Sequence, residues 1–323
     1  MESKKKSVYA LLKKYQIFVV LIVVIVILGL INSKFLTLGN FSNIFKQIAT
    51  NAILAVGMCF VVLTGGIDIS VGATLAFVGA LSVALTSQGV PIVVVLVISL
   101  MVGAGIGMLN GVFISYFRLQ PMIVTLAMMS IFRGMTYIFT KGSPISLNLK
   151  ISGGAIYKWI GSGTIFGAVP FPLILVVIVY AIAYYVLNKT AYGRHVYALG
   201  GNEEAAQLSG INTRRAKTIA YVICGVTAAI AGIIISARVA SAQPNAGDSY
   251  EMDAIAAVVI GGTSLRGGEG HVLYTIVGAI IIGMLNNFLN LMGVDSYYQV
   301  VVKGLVILVA VLADAKAGKS KGK

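Results

Sequence analysis

Asp68, Asn110, Arg133, Asn286, Asn287, Asn290 and Lys303 stand inside or against long apolar runs. At membrane depth such groups are costly, so each marks either a solute pathway or a bond between helices. Asn286 and Asn290 are four apart and share one helix face, with Asn287 beside them. A neutral amide donates and accepts at once, which suits an uncharged, hydroxyl-rich ligand. The same amides also serve as links between neighbouring helices. Asp68 and Ser70 fall in the break Thr64-Gly65-Gly66-Ile67-Asp68-Ile69-Ser70-Val71-Gly72. A carboxylate there either lines a cavity with free backbone groups or caps the next helix. The pathway candidates are therefore Asp68, Ser70, Asn110, Asn286, Asn287 and Asn290. Arg133 and Lys303 are partners for buried acids or helix C-termini, or they snorkel to the interface.

Other chemistry is excluded quickly. The chain has no His-Glu-x-x-His, no Gly-x-Ser-x-Gly and no phosphate loop. Gly318-Lys319-Ser320 is not such a loop, because Ala313 stands where its first glycine belongs. Cys59 and Cys224 sit in apolar segments and read as small core residues. His195 and His271 form no motif, and no metal site is expected. Near the membrane, the first four and last two spans offer Asp68 as their only acid. That argues against coupling through a buried carboxylate relay, so energy has to come from outside the chain.

The elements that hold these residues follow from composition. The chain has 323 residues, 58% hydrophobic and 11% charged, where soluble domains carry about 25% charged residues. Apolar blocks fall at about 16–31, 47–63, 72–86, 91–115, 121–139, 171–187, 217–238, 253–262, 271–292 and 297–313. This pattern predicts an all-α polytopic membrane protein of about ten transmembrane helices. The eighth block is short and reads either as a full span extended by its flanks or as a half-helix. The first block follows Lys4, Lys5, Lys6, Lys13 and Lys14 without a small-residue cleavage site, and is expected to be an uncleaved span.

Net charge is +14. Most basic residues cluster at the two ends and in the central loop, with Arg118 and Arg266 in the same set. Lys34, Lys46, Lys141, Lys150, Lys158 and Arg238 fall on the other side. This bias puts both termini in the cytoplasm and gives no reason to expect nucleic acid as a partner. One membrane domain spans 1–323, with a cytoplasmic start at 1–15, a cytoplasmic loop at 188–216 and a basic tail at 314–323. Loops 140–170 and 242–253 lie outside, the second carrying three acids.

The central loop holds a capped helix of about two turns. Asn202 is its N-cap, Glu203 and Glu204 complement its dipole, and Gly210 supplies the left-handed end. A helix this short is marginal alone, so it is expected to dock. Two internal repeats are possible. One matches the 65–72 break to 261–268, a parallel repeat. The other matches it to the 247–253 break, five helices on, an inverted repeat.

Glu204-Ala205-Ala206-x-x-x-Gly210 resembles the EAA-type loop of ABC importer permeases, without its downstream Ile-x-Leu-Pro. Longer blocks carry a more specific resemblance: Gly65-Gly66-Ile67-Asp68-Ile69-Ser70-Val71-Gly72, Ala198-Leu199-Gly200-Gly201-Asn202-Glu203, Leu208-Ser209-Gly210-Ile211-Asn212, Ala254-Ile255-Ala256-Ala257-Val258-Val259-Ile260-Gly261-Gly262-Thr263-Ser264-Leu265 and Ser296-Tyr297-Tyr298-Gln299. Together they resemble the ribose-type monosaccharide permease family of bacterial ABC transporters, from about residue 35 to 314. The resemblance implies a fold similar to the vitamin B12-type importer permease and a homodimer in the bacterial inner membrane. It also implies a cytoplasmic ATP-binding subunit that itself holds ATP and Mg, and an extracytoplasmic sugar-binding protein. No cofactor is expected in this chain. Asn202, Glu203, Glu204, Ala205, Ala206 and Gly210 become the ATPase-coupling helix, and the outer loops become binding-protein contacts. An ion-coupled carrier or channel for a small polar solute is the alternative. A membrane interaction protein that transports nothing is a third.

Overall fold

The structure is a computed structural model that describes residues 16–167 and 169–321. The lysine-bearing start at 1–15 and the last two residues of the basic tail lie outside the described residues. In chain order the elements are α1 (Gln16–Ile31), a 3-10 turn (Ser33–Leu36), α2 (Leu38–Leu63), α3 (Val71–Ser87), α4 (Ile92–Ser115) and α5 (Pro121–Thr140). Next come β1 (Ile145–Ser146), α6 (Ser152–Ser162), β2 (Thr164–Ile165), β3 (Val169–Pro170) and α7 (Phe171–Lys189). The rest is α8 (Ala191–Gly201), α9 (Glu203–Leu208), α10 (Thr213–Val239), β4 (Ser241–Ala242), α11 (Tyr250–Ile260), α12 (Val272–Leu291) and α13 (Ser296–Lys321).

Among the described residues, six helices are long and apolar enough to cross a membrane: α2, α4, α5, α7, α10 and α12. Shorter apolar stretches follow in α1, α3 and α13. The eighth apolar block is a true short helix. The 11 residues of α11 rise about 16 Å, roughly half the hydrocarbon thickness. The chain is thus a helical polytopic membrane protein.

Burial follows sequence character. Every residue from 48 to 64 in and just after α2 is buried, and this helix, apolar on all sides from 52 to 63, is the axis of the bundle. Against it run α10, α12, α11 and α7. α4 packs closely along α10. Gly103, Gly107 and Gly111 recur every four residues on α4, and a Cβ at Gly107 would collide with the Tyr221 carbonyl. Without a hydrophobic drive between spans, this small-residue seam lets backbones approach and gain dispersion contacts.

The packing follows the inverted repeat. α2 meets α12 as α10 meets α4, and α2 meets α11 as α10 meets α3. Likewise α3 packs on α5 as α11 packs on α13. The 140–170 segment is more ordered than a loop. It contains α6 and a β2–β3 hairpin, and β1 pairs antiparallel with β4, Ile145 opposite Ala242. The 140–170 and 242–253 segments are therefore joined.

Candidate functional site

Two buried carboxylates organise the polar interior. Asp253 lies in the first turn of α11 and is 2% exposed. Its Oδ2 accepts from Lys303 Nζ at 3.0 Å, Asn51 Nδ2 at 3.1 Å and Asn286 Nδ2 at 3.2 Å. Four helices, α2, α11, α12 and α13, meet at this one oxygen. The side-chain oxygens of Asn51 and Asn286 are buried with no hydrogen-bond partner among the described residues. A carboxylate, an ammonium and two amides can bind a neutral polyol through both donors and acceptors.

The second group sits in the break between α2 and α3. Asp68 Oδ1 accepts from the Ser70 amide at 2.9 Å and from Ser70 Oγ at 2.6 Å. Asn110 Nδ2 donates to Ser70 Oγ at 2.8 Å and approaches both carboxylate oxygens at 3.4 Å. The structure thus brings Asp68, Ser70 and Asn110 together. The cap expected on α3 is absent: Ser70 holds the N-cap position with helical backbone angles and makes no side-chain bond to the helix. The carboxylate closes a local turn instead.

The remaining candidates are spread out. Asn287 Oδ1 accepts from Asn40 at 2.9 Å, joining α12 to α2. Asn290 Oδ1 accepts from Gln299 at 2.9 Å, joining α12 to α13. Arg133 pairs with Asp248 at 2.7 Å and donates to the Pro244 and Ala246 carbonyls, tying α5 to the 242–253 segment. Both intramembrane cations therefore pair with acids of the 242–253 segment. Asn51 and Asp253 were missed from the sequence because each lies near the edge of its apolar block. Scoring every polar residue within one turn of a block would have found them.

The 188–216 segment folds as its residues dictate. Asn202 Oδ1 accepts from the Ala205 amide at 2.9 Å. Gly210 takes φ +83°, and the Ile211 amide returns to the Ala206 carbonyl at 3.1 Å, closing the helix end. Of α9, Ala206 alone is buried; Glu203, Glu204, Ala205, Gln207 and Leu208 are exposed, Leu208 at 89%. Glu203 pairs with Lys217 at the base of α10. Between α9 and the α4–α5 turn lies a cleft of about 610 Å³, lined among others by Arg118, Gln120, Glu203, Glu204, Arg214 and Lys217. The preceding helix α8, not foreseen in the loop, wedges against the core. A Cβ on Gly200 would collide with the Leu63 carbonyl, and Gly268 donates to that same carbonyl at 3.0 Å. The segment bearing α9 is thereby braced against the end of α2, next to the Asp68 break.

A family model described as the branched-chain amino acid transport system / permease component matches residues 40–311. The chain is 47% identical over 304 residues to the ribose import permease protein RbsC of Haemophilus influenzae, which covers 94% of each chain. It is 46% identical over 315 residues to RbsC of Bacillus subtilis, 98% of this chain and 97% of that one. It is 35% identical over 310 residues to the D-allose transport system permease protein AlsC of Escherichia coli, 95% of this chain and 93% of that one. No solved structure gives a significant match. A bundle of apolar helices enclosing sparse polar groups, matched end to end by transport proteins, belongs to the permease-component family, whose members are multi-pass subunits of importers.

Proposed function

We propose that this chain is the membrane-spanning subunit of an ATP-driven importer whose solute is ribose. The observation that carries the sugar is the near-complete alignment to ribose import permeases at 46–47% identity, against 35% for the D-allose permease. The fold is that of the vitamin B12-type importer, with ten spans: the six long helices, the three shorter ones and α11. Two copies work as a homodimer in the inner membrane. An extracytoplasmic binding protein delivers the sugar at the outer loops, and a cytoplasmic ATPase takes up α9 in the cleft beside Arg118.

The pathway is lined by the Asp253 group, with Asn51 and Asn286 offering free amide oxygens to sugar hydroxyls. Asp68, Ser70 and Asn110 form its inner counterpart, while Asn287 and Asn290 hold the helices around it. Closure of the ATPase moves α9. That motion reaches the α2–α3 break through α8 and Gly200, because the packing there leaves no slack for a Cβ.

The test is uptake of labelled ribose into vesicles holding the purified chain. Uptake is expected with the ATPase, the binding protein and ATP together, and with none of them left out. Ribose uptake driven by an ion gradient in the chain alone would overturn the reading in favour of a secondary carrier. Glu204→Lys is expected to abolish uptake and ATPase association while leaving insertion intact.

A further inference from the structure

Helix α6 is apolar on two opposite faces. Gly154, Tyr157 and Gly161 turn inward: the Tyr157 hydroxyl meets Ser236 at 2.7 Å, and Gly161 lies so close to Ala237 and Arg238 that a Cβ would collide with their backbone. One hundred degrees per residue puts Ala155, Ile156 and Trp159 on the far face. All three are exposed, Ile156 at 52% and Trp159 at 42%. The Trp159 ring packs on Phe171, the first residue of α7, with centroids 4.6 Å apart. Gly163 lies beneath the indole, where a Cβ would reach 2.5 Å from the ring.

The hairpin that follows extends the same face. Phe166 is 98% exposed and takes φ +53°, a left-handed conformation that bulky side chains rarely hold. A turn in water takes Asn or Gly at such a position. Val169 is exposed beside it. The outward side of α7, which begins at Phe171 under the indole, is apolar as well: Val177, Ile178 and Ile182 are 60%, 47% and 58% exposed. α7 is long and apolar enough to cross a membrane, and the open apolar side of such a helix is the one that lipid can cover.

We infer that α6 and the β2–β3 tip form an interfacial anchor, with Trp159 and Phe166 seated in the headgroup region of the bilayer where α7 enters it. Tryptophan prefers this depth because its ring is apolar and its N–H is polar. Lys158, exposed at the side of the helix, reaches lipid phosphates from there. The 140–170 segment is thereby divided. Its apolar face belongs to lipid, and its β1 end, paired with β4, remains for a soluble partner. The inference rests on the membrane placement alone and holds whichever solute is carried.

Trp159 is the sole tryptophan of the chain, so intrinsic fluorescence reports it alone. The full-length protein is reconstituted in vesicles of phosphatidylcholine brominated either near the headgroup end or near the methyl end of the acyl chain. Emission is expected to be blue-shifted, strongly lost with the shallow bromines, less with the deep ones, and little affected by aqueous iodide. Strong iodide quenching that disappears on adding the binding protein would overturn the anchor and assign the face to that partner. Emission immune to both quenchers would overturn it in favour of burial against a second copy. Moving the indole with Trp159→Phe plus Phe166→Trp gives an independent reading at the tip, and quenching by iodide there would equally refute the anchor.

Discussion

Asp68 and Asp253 are each 2% exposed, yet the chain stabilises them in different ways. Asp68 is held by uncharged donors, two of them from Ser70 just two residues away. Asn110, on α4, completes a short chain of bonds that runs through the Ser70 hydroxyl. Asp253 is held by an ammonium and two amides from three other helices, all on one oxygen. The first arrangement is local and forms with the turn itself. The second exists only when α2, α11, α12 and α13 are assembled, so it reports their relative position. α13 is the most exposed of the four, and Lys303 is a polar bond joining it to the interior. A joint of this kind can open if α13 moves, whereas the Asp68 turn has little to lose from such motion.

The largest expected effect tests that contrast. Lys303→Met strands a buried carboxylate, and breaking a buried pair costs about 3–5 kcal/mol. Thermal unfolding of the detergent-purified protein should fall accordingly, and Asp253→Asn added to Lys303→Met should recover most of the loss. If Lys303→Met melts like the parent, the pair is not the joint. Asp68→Asn should cost less, about 1–3 kcal/mol, because the charge vanishes while an acceptor for the Ser70 groups remains. A greater loss at Asp68 than at Lys303 would reverse the assignment of rigid and movable halves.

Much of this arrangement was legible in the residues. Block positions match helices of the structure, six of them long and apolar enough to cross a membrane among the described residues, and the Asn202–Gly210 helix follows from its capping residues alone. For Arg133 and Lys303 the residues left open an acid, a helix C-terminus or the interface as partner, and the structure pairs both with acids, as the cost of an isolated intramembrane charge requires. The Asp253 group was harder to read. Its members stand 202, 33 and 50 residues from Asp253, and no periodicity relates them. Their meeting depends on how helices cross, which depends on small-residue seams such as Gly103, Gly107 and Gly111. The sequence also left two repeats open, since Gly-rich apolar segments match at many offsets. Packing partners distinguish them, because only the inverted pairing maps α2–α12 onto α4–α10.

The smallest effect is the most informative about the pathway. Asn110→Ala and Asn286→Ala each remove one amide that donates to a buried acid, and each should destabilise the protein by about 1–3 kcal/mol. Their transport consequences should differ. Among the described residues, Asn286 and Asn51 both leave amide oxygens unpartnered beside Asp253, whereas a single such oxygen, that of Asn110, lies beside Asp68. If sugar hydroxyls bond to the Asp253 group, Asn286→Ala removes a ligand contact. The ribose concentration for half-maximal uptake by the assembled importer should then rise by about tenfold, the equivalent of one hydrogen bond of about 1.4 kcal/mol. Asn110→Ala removes a bond inside the α2–α3 turn, so it should lower the maximal rate and leave that concentration unchanged. Equal shifts in both variants would mean that the sugar samples both carboxylate groups in turn. No shift in either would return Asn286 to the role Asn287 plays with Asn40, a bond that holds helices together.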